Sequence, residues 1–128
     1  MDMTFTLEGG GRVDGHVGPF TVHTDQPPNA TAPSPFELFL ASIGACAGFY
    51  VQAFCSRRGI PTDGIRIAQR NVAAPDGMVQ RVELDVELPA DFPAQYRDAV
   101  IKAAEHCTVK KHLEHPPLID VHGEAAFR

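Results

Sequence analysis

The sequence lacks the features that define several large classes of protein. It has only three cysteines in 128 residues, and its lysines and arginines are scattered along a chain whose net charge is −5. So few cysteines exclude a framework of structural disulfides, and scattered positive charge gives no reason to expect nucleic acid or a membrane as a partner. The chain does not open with a basic segment followed by an apolar one, so we expect no signal peptide and a cytoplasmic protein with reduced cysteines.

What the sequence does have is the composition of an ordinary globular domain. Hydrophobic residues make up 44% of the chain and charged residues 21%, and 128 residues are enough to bury a core. Neither an internal repeat nor a low-complexity tract divides the sequence. We therefore predict a single domain that spans residues 1–128.

The longest apolar run covers residues 34–59 and predicts a central helix. Ser34 suits the N-cap, Pro35 suits the first helical position, and Glu37 suits the third position of a capping box. At the other end two arginines complement the helix dipole, and Gly59 can adopt the left-handed conformation that ends a helix. The sequence thus specifies both ends of the helix.

Apolar side chains lie on every face of this predicted helix, which indicates that it is covered on all sides. A membrane span is an alternative, because about 20 apolar residues also cross a bilayer, but Glu37, Ser42 and Gln52 interrupt the run. Gly44 and Gly48, one turn apart, predict a face that another helix approaches closely. Because so short a chain has few other helices, we expect a second copy to cover part of this one, as a homodimer.

The remaining segments show strand and helix patterns in turn. Before the central helix we predict strands at residues 4–8 and 13–23, the second with an irregularity at Gly18-Pro19, which together form a hairpin. After it we predict strands at residues 65–72 and 79–88, helices at 94–105 and 107–113, and a last strand at 118–121. The fold class is therefore α+β, with a mainly antiparallel sheet wrapped against a long buried central helix.

The three cysteines have different predicted surroundings. Cys46 lies in the middle of the central helix, where burial raises the pKa of a thiol and keeps it unreactive unless a cation or a hydrogen-bond donor stabilises the thiolate. Cys107 lies at the start of a helix, where free N–H groups stabilise a thiolate, so position alone favours Cys107 for chemistry. Cys55 is roughly 13 Å from Cys46 along the helix axis, too far to pair, and we interpret it as a core residue.

Two sequence motifs together resemble a known family. They are APSPFELFLASIGAC at residues 32–46 and AAEHCTVKKHL at residues 103–113. The pair resembles the two-cysteine signature of the OsmC/Ohr family, the osmotically induced and organic hydroperoxide resistance proteins, and the resemblance covers essentially the whole chain. It implies an intertwined homodimer with two active sites near the subunit interface. It also implies a thiol-dependent peroxidase that acts on hydroperoxides, preferably organic ones.

By this resemblance Cys46 matches the peroxidatic cysteine, Cys107 the resolving cysteine, and Arg12 the arginine that stabilises the thiolate. The chemistry needs a thiolate nucleophile, a donor for the leaving oxygen, and a second thiol that traps the sulfenic acid as a disulfide. The alternative for Arg12 is a solvated residue beside a turn. We expect a small hydroperoxide as substrate and a dithiol as reductant, and neither a cofactor nor a metal ion.

The sequence departs from the family pattern at two positions. Phe36 stands where the peroxidase branch carries its catalytic glutamate, and Glu37 stands one place later. Glu37 is therefore either a catalytic residue that acts across the dimer or only the capping-box residue. Thr108 follows Cys107 in place of the proline usual in the family. These differences resemble the general OsmC-like branch.

Two alternatives come from other functional classes. One alternative is a zinc site formed by His106, Cys107, His112 and His115. Neither a C-x-x-C nor an H-E-x-x-H motif supports it. The other alternative is a non-catalytic dimeric module that binds a small apolar ligand, in which both cysteines are merely core residues. Phe36 in place of a glutamate favours the binding module.

Overall fold

The computed structural model describes residues 1–123 and contains two antiparallel sheets and three helices. In chain order the elements are β1 (Met3–Gly9), β2 (Arg12–Val17), β3 (Phe20–Thr24), α1 (Pro35–Arg57), β4 (Arg66–Ala73), β5 (Val79–Glu87), a 3₁₀ turn (Ala94–Tyr96), α2 (Arg97–Ala104) and α3 (Thr108–Glu114). The α+β class is confirmed.

The ends of α1 confirm the prediction made from its capping residues. The Ser34 hydroxyl accepts a hydrogen bond from the Glu37 N–H at 3.1 Å, and the Glu37 carboxylate accepts one from the Ser34 N–H at 2.9 Å. Pro35 is the first helical residue, and Gly59, just past the last turn, has a φ of +64°. The helix therefore begins and ends where local hydrogen bonds and backbone freedom require.

The N-terminal strands form a three-stranded meander, β1-β2-β3, rather than one hairpin. The prediction of a single irregular strand over residues 13–23 was wrong, because the chain reverses at Gly18-Pro19 and brings Val17 opposite Phe20. Gly18 has a φ of +54°, a conformation that glycine adopts without a steric penalty. The irregularity is thus a two-residue turn between two strands.

Strands β4 and β5 form a second, separate hairpin. Apolar side chains of β5 at Val82, Leu84 and Val86 alternate with the predicted acidic face, as expected for a strand that is covered on one side. Two of the acidic residues pair with arginines across the hairpin, Glu83 with Arg70 and Glu87 with Arg66. These are exposed pairs and contribute little to stability.

The core lies where the second half of α1 packs between the β4–β5 hairpin and α2. Its buried members are mostly side chains of these elements: Ala47, Val51, Phe54, Cys55, Phe92, Val100 and Ala104. The element that packs closely on Gly44 and Gly48 is strand β4, and not the predicted helix. A Cβ atom at Gly44 would overlap the side-chain amide of Gln69, and one at Gly48 would touch Ile67. The Gln69 side chain also donates to the Leu40 carbonyl at 2.9 Å.

The last predicted strand, at residues 118–121, is absent from the described part of the chain. Leu118, Ile119 and Val121 are 93%, 84% and 90% exposed, and the segment pairs with no strand within residues 1–123. A strand requires a neighbouring edge, and residues 118–123 pair with neither sheet.

One chain leaves much of α1 uncovered, and the prediction that a second copy covers part of this helix stays a prediction. Phe36, Phe39 and Phe49 are 53%, 40% and 63% exposed, while the face that carries Ala47 and Val51 is buried. By length and composition alone α1 could cross a membrane, a test that core helices of globular proteins also pass. A single chain does not supply enough helices and strands to surround it.

Candidate active site

Two of the three cysteines meet where the start of α3 packs against the middle of α1. Cys46 is half-buried on α1, and Cys107 is buried at the N-cap of α3. The Cys107 sulfur accepts the Lys110 N–H at 3.4 Å, as a capping group does, and its thiol donates to the Ile43 carbonyl at 3.8 Å. Since Ile43 is almost one turn before Cys46, these bonds hold Cys107 against the cysteine-bearing part of α1.

The two thiols influence each other, and their pKa values move in opposite directions. Burial raises the pKa of Cys46, but the N–H of Val109, the Cys107 thiol and the N–H of Thr108 together outweigh burial and lower it. Burial also raises the pKa of Cys107; the Lys110 N–H opposes this, and the Cys46 sulfur adds to it. Cys46 is therefore the thiol that ionises more readily.

This assignment corrects the expectation that the helix start favours Cys107. In the first turn of α3, the N–H of Thr108 stabilises the Cys46 thiolate, that of Val109 lowers the pKa of both thiols, and that of Lys110 donates to Cys107. No pattern in the sequence reveals where backbone donors of one helix meet a side chain of another.

Cys55 lies in the core, as predicted. It is fully buried, and burial raises the pKa of its thiol although the charge of Arg58 partly opposes this. The Arg58 guanidinium itself lies 3.7 Å from the centre of the Phe54 ring. Cys55 is thus a packing residue in a covered part of α1.

Arg12 lies at the start of β2, and its side chain bonds to a residue close by in the sequence. Its guanidinium donates to the Glu8 carbonyl at 3.1 Å across the Gly9–Gly11 turn. The adjacent loop is organised by the buried Asp25, whose carboxylate accepts N–H groups from Gln26 at 2.8 Å and Thr31 at 2.9 Å. Within one chain Arg12 therefore serves this turn, and its predicted action on the thiolate stays a prediction.

Glu37 is likewise engaged where it stands, in the capping box. Its pKa is lowered by the backbone N–H and then by the hydroxyl of Ser34. Phe36, beside it, stacks on Phe39 with ring centres 5.8 Å apart. The described residues do not bring Glu37 to the cysteines, and its predicted catalytic role across a dimer stays a prediction.

An apolar cavity of about 320 Å³ opens beside Cys107. Its walls come from β5, α2, α3 and one residue of α1: Ile43, Val82, Leu84, Val86, Ile101, Ala104, Glu105, Cys107, Lys110 and Leu113. The alternation in β5 predicts which of its side chains point inward, but it does not indicate that they line a cavity. A site for an apolar group thus adjoins Cys107.

Tyr50 is a further residue of the site that sequence reasoning missed. Its hydroxyl hydrogen-bonds to that of Thr108 at 2.8 Å. Among residues 1–123, no group of three or more histidine, cysteine or acidic side chains is close enough to share a metal ion, so the zinc site is not assembled there. The chemistry available in this region is that of two adjacent thiols.

Comparison with known proteins places this fold among solved structures. An OsmC-like protein from Mycoplasma pneumoniae has a TM-score of 0.72 at 15% identity, over 90% of this chain and 87% of that one. A hypothetical protein from Aquifex aeolicus has a TM-score of 0.73 at 14% identity, over 90% and 87%. An OsmC-like hydroperoxide resistance protein from a Jannaschia species has a TM-score of 0.55 at 21% identity, over 97% and 91%. At such identities the likeness establishes the fold alone.

The sequence itself provides the family assignment. No curated protein matches it significantly. The family model for OsmC-like proteins matches residues 27–122, which include α1, the second hairpin and both cysteines of the site. This match covers most of the chain and agrees with the resemblance seen in the two cysteine motifs. The protein is therefore a member of the OsmC-like family.

Proposed function

We propose that this protein is a thiol-dependent peroxidase that reduces organic hydroperoxides in oxidative-stress defence, with Cys46 as the peroxidatic and Cys107 as the resolving cysteine. The observation that carries the proposal is the hydrogen bond from the Cys107 thiol to the Ile43 carbonyl, which holds Cys107 against the turn of α1 that carries Cys46, far away in the sequence. Their opposite pKa shifts suit the two roles. A nucleophile must be ionised to attack, whereas a resolving thiol must not compete for the peroxide.

The reaction is written in three steps. The Cys46 thiolate attacks one peroxide oxygen, so that an S–O bond forms, the O–O bond breaks, and the alkoxide leaves as an alcohol after taking up a proton. The Cys107 sulfur then attacks the sulfenic acid, forming the disulfide while the hydroxide leaves with the Cys107 proton as water. An external dithiol supplies two electrons and two protons and returns both cysteines to thiols.

The cavity beside Cys107 supports an organic substrate. Its lining is largely aliphatic, and such a surface binds an alkyl or aryl group better than it binds hydrogen peroxide. The Jannaschia relative is named a hydroperoxide resistance protein, which agrees with this substrate class. The alternative of a non-catalytic binding module uses the same cavity but leaves the paired thiols without a purpose, and it is not favoured.

The exposed apolar surfaces support a homodimer as the working form. Phe5 and Leu7 on β1 are 61% and 85% exposed, and Phe49 on α1 and Leu118 near the end of the described chain are 63% and 93% exposed. So many large apolar side chains on a small chain indicate a surface that a partner covers. A second copy would supply that cover and could bring Arg12 toward the thiols.

Three cysteine variants and a mass-mapping experiment test the proposal. We expect Cys46→Ser to abolish reduction of an organic hydroperoxide in the presence of a dithiol. Cys107→Ser should permit one stoichiometric oxidation and then stall, with Cys46 advancing to sulfinic acid. Cys55→Ser is the control and should retain turnover.

The disulfide itself provides the second measurement. After mild treatment of the wild-type protein with hydroperoxide, peptide mapping should find Cys46 joined to Cys107. A disulfide between Cys46 and Cys55, or failure to consume hydroperoxide with any dithiol, would contradict the peroxidase. An apolar ligand that raised the melting temperature of such an inactive protein would instead support the binding module.

A further inference from the structure

The hydrogen bond between Tyr50 and Thr108 joins the two elements that carry the cysteines. Tyr50 lies one helical turn after Cys46 on α1, and Thr108 directly follows Cys107 as the first residue of α3. Their hydroxyl oxygens are 2.8 Å apart. The bond thus connects α1 and α3 next to both thiols.

The first turn of α3 has few other attachments to the rest of the chain. The helix has seven residues and none of its own members is buried; its cap, Cys107, is the buried residue at its start. The bond from His112 to the Thr108 carbonyl at 2.8 Å stays within α3. The side-chain hydrogen bonds that join this first turn to α1 are therefore those of Cys107 and Tyr50.

The orientation of this first turn relative to α1 matters because the turn supplies donors to Cys46. The groups that lower the pKa of Cys46 are the Val109 N–H, the Cys107 thiol and the Thr108 N–H, and no charged side chain of the described residues contributes. A hydrogen bond weakens steeply when its donor tilts away from the acceptor. A small rotation of α3 would therefore remove stabilisation from the thiolate without disturbing the core.

We propose that Tyr50 is a positioning residue, whose hydroxyl holds Thr108 so that the N–H groups of Thr108 and Val109 stay directed at the sulfur of Cys46. Tyr50 does not touch the reacting atoms and acts through α3. Thr108 has two parts in this arrangement: its hydroxyl accepts or donates the bond to Tyr50, and its backbone supplies one N–H. The consequence for turnover depends on the proposed peroxidase, but ionisation of Cys46 can be measured without peroxide.

Four substitutions separate the two parts of Thr108. Tyr50→Phe and Thr108→Val each remove one hydroxyl of the bond, whereas Thr108→Ser retains it. Thr108→Pro removes both the hydroxyl and the N–H, and proline is tolerated at the first position of a helix. If the bond acts as proposed, Tyr50→Phe and Thr108→Val have equal effects, and the double variant is no worse than either.

The measurement is the pH dependence of alkylation of Cys46, with peptide mapping to distinguish it from the other thiols. At pH values below the midpoint we expect Tyr50→Phe and Thr108→Val to lower the thiolate fraction about threefold, and Thr108→Pro about tenfold. Thr108→Ser should retain the wild-type midpoint. The ultraviolet absorbance of the thiolate gives an independent value of the same fraction.

A matched control removes a different side-chain bond of α3. His112→Ala breaks the bond to the Thr108 carbonyl, and we expect it to leave the Cys46 midpoint unchanged. The proposal is overturned if Tyr50→Phe leaves the midpoint where it was, or if His112→Ala shifts it equally, since the effect would then be general loosening of α3. A shifted midpoint in a protein that consumes no hydroperoxide would refute the peroxidase and leave the positioning role intact.

Discussion

The two halves of the molecule differ in how far their apolar side chains are buried. In the body, formed by the second half of α1, the β4–β5 hairpin, α2 and α3, Phe54 is 8% exposed and Val100 is fully buried. In the N-terminal meander, residues 3–24, Phe5 and Leu7 are 61% and 85% exposed although both pair with residues of β2. The meander has the local structure of a folded sheet without the cover that a folded sheet needs.

The candidate functional residues divide along the same line. Cys46 and Cys107 belong to the body and meet within one chain, whereas Arg12 on the meander and Glu37 at the start of α1 make only local hydrogen bonds. The body can therefore assemble the thiol pair alone. We therefore expect any group that the meander contributes to this site to act in the proposed dimer.

The largest expected effect is a loss of core packing in the body. Phe54→Ala removes a buried ring that also contacts Tyr96 and Arg58, and we expect the free energy of unfolding to fall by about 3–5 kcal/mol. Urea unfolding measures this, with Met78→Ala as the control because Met78 is 69% exposed at a turn. The control should change stability by less than about 0.5 kcal/mol. A loss below about 1 kcal/mol for Phe54→Ala would place the core elsewhere.

The second prediction concerns the uncovered face of the meander. We expect the wild-type protein to sediment as a dimer at low micromolar concentration, and Leu7→Asp to weaken association about thirtyfold, because a charge in an apolar interface is left unpaired. Thr4→Asp is the matched control, since Thr4 lies on the opposite, polar face of the same strand and pairs with His16. A stable folded wild-type monomer, or equal effects of the two variants, would refute a dimer built on this face.

The same variant tests whether Arg12 acts through the dimer. We expect Arg12→Ala to slow the first oxidation of Cys46 in the dimer and to have no further effect in the Leu7→Asp background. Equal slowing in both backgrounds would mean that Arg12 reaches the thiol within one chain.

The smallest expected effect is at the start of α1, where the two regions join. Ser34→Ala should cost about 1 kcal/mol of unfolding free energy. Because the pKa of Glu37 is lowered in the folded state, its ionised form stabilises the fold at pH values above the ordinary pKa of a glutamate, about 4.3. Glu37→Gln removes this charge, so the variant should lose less stability on acidification than the wild type. That contribution is lost as the pH falls below this value and through the lower pKa of the folded state.

Urea unfolding of both proteins at neutral and acidic pH measures this prediction. The pKa of Asp25 is also lowered by N–H groups of Thr31 and Gln26, so this carboxylate too loses a stabilising charge on acidification, and the difference between wild type and Glu37→Gln is the relevant quantity. Parallel pH curves for the two proteins would show that the capping box does not depend on the charge. Loss of peroxidase activity in Glu37→Gln, but not in Ser34→Ala, would assign Glu37 to catalysis.

Most helices and strands could be predicted because their signals are local. The alternation in β5, the Ala74–Gly77 turn and the helical spacing at Val100 and Ala104 each depend on residues a few positions apart. The second N-terminal hairpin could not be predicted from the alternation of apolar and polar residues. A bulge within one strand and a two-residue turn between two strands at Gly18-Pro19 both shift this alternation by one residue, so the pattern does not distinguish them. The prediction of a last strand at residues 118–121 was wrong because a strand pattern in the sequence does not show whether a sheet edge is available to pair with it.

By itself the sequence determined where α1 begins and ends, since the Ser34 and Glu37 bonds join residues three positions apart, and it singled out Cys46 and Cys107 by their motifs. Only the tertiary structure decided which thiol ionises more readily. That choice depends on α3 packing against α1 so that the Thr108 and Val109 N–H groups meet Cys46. Such a contact joins backbone atoms, which every residue carries, to a side chain far away in the sequence, so no local pattern records it.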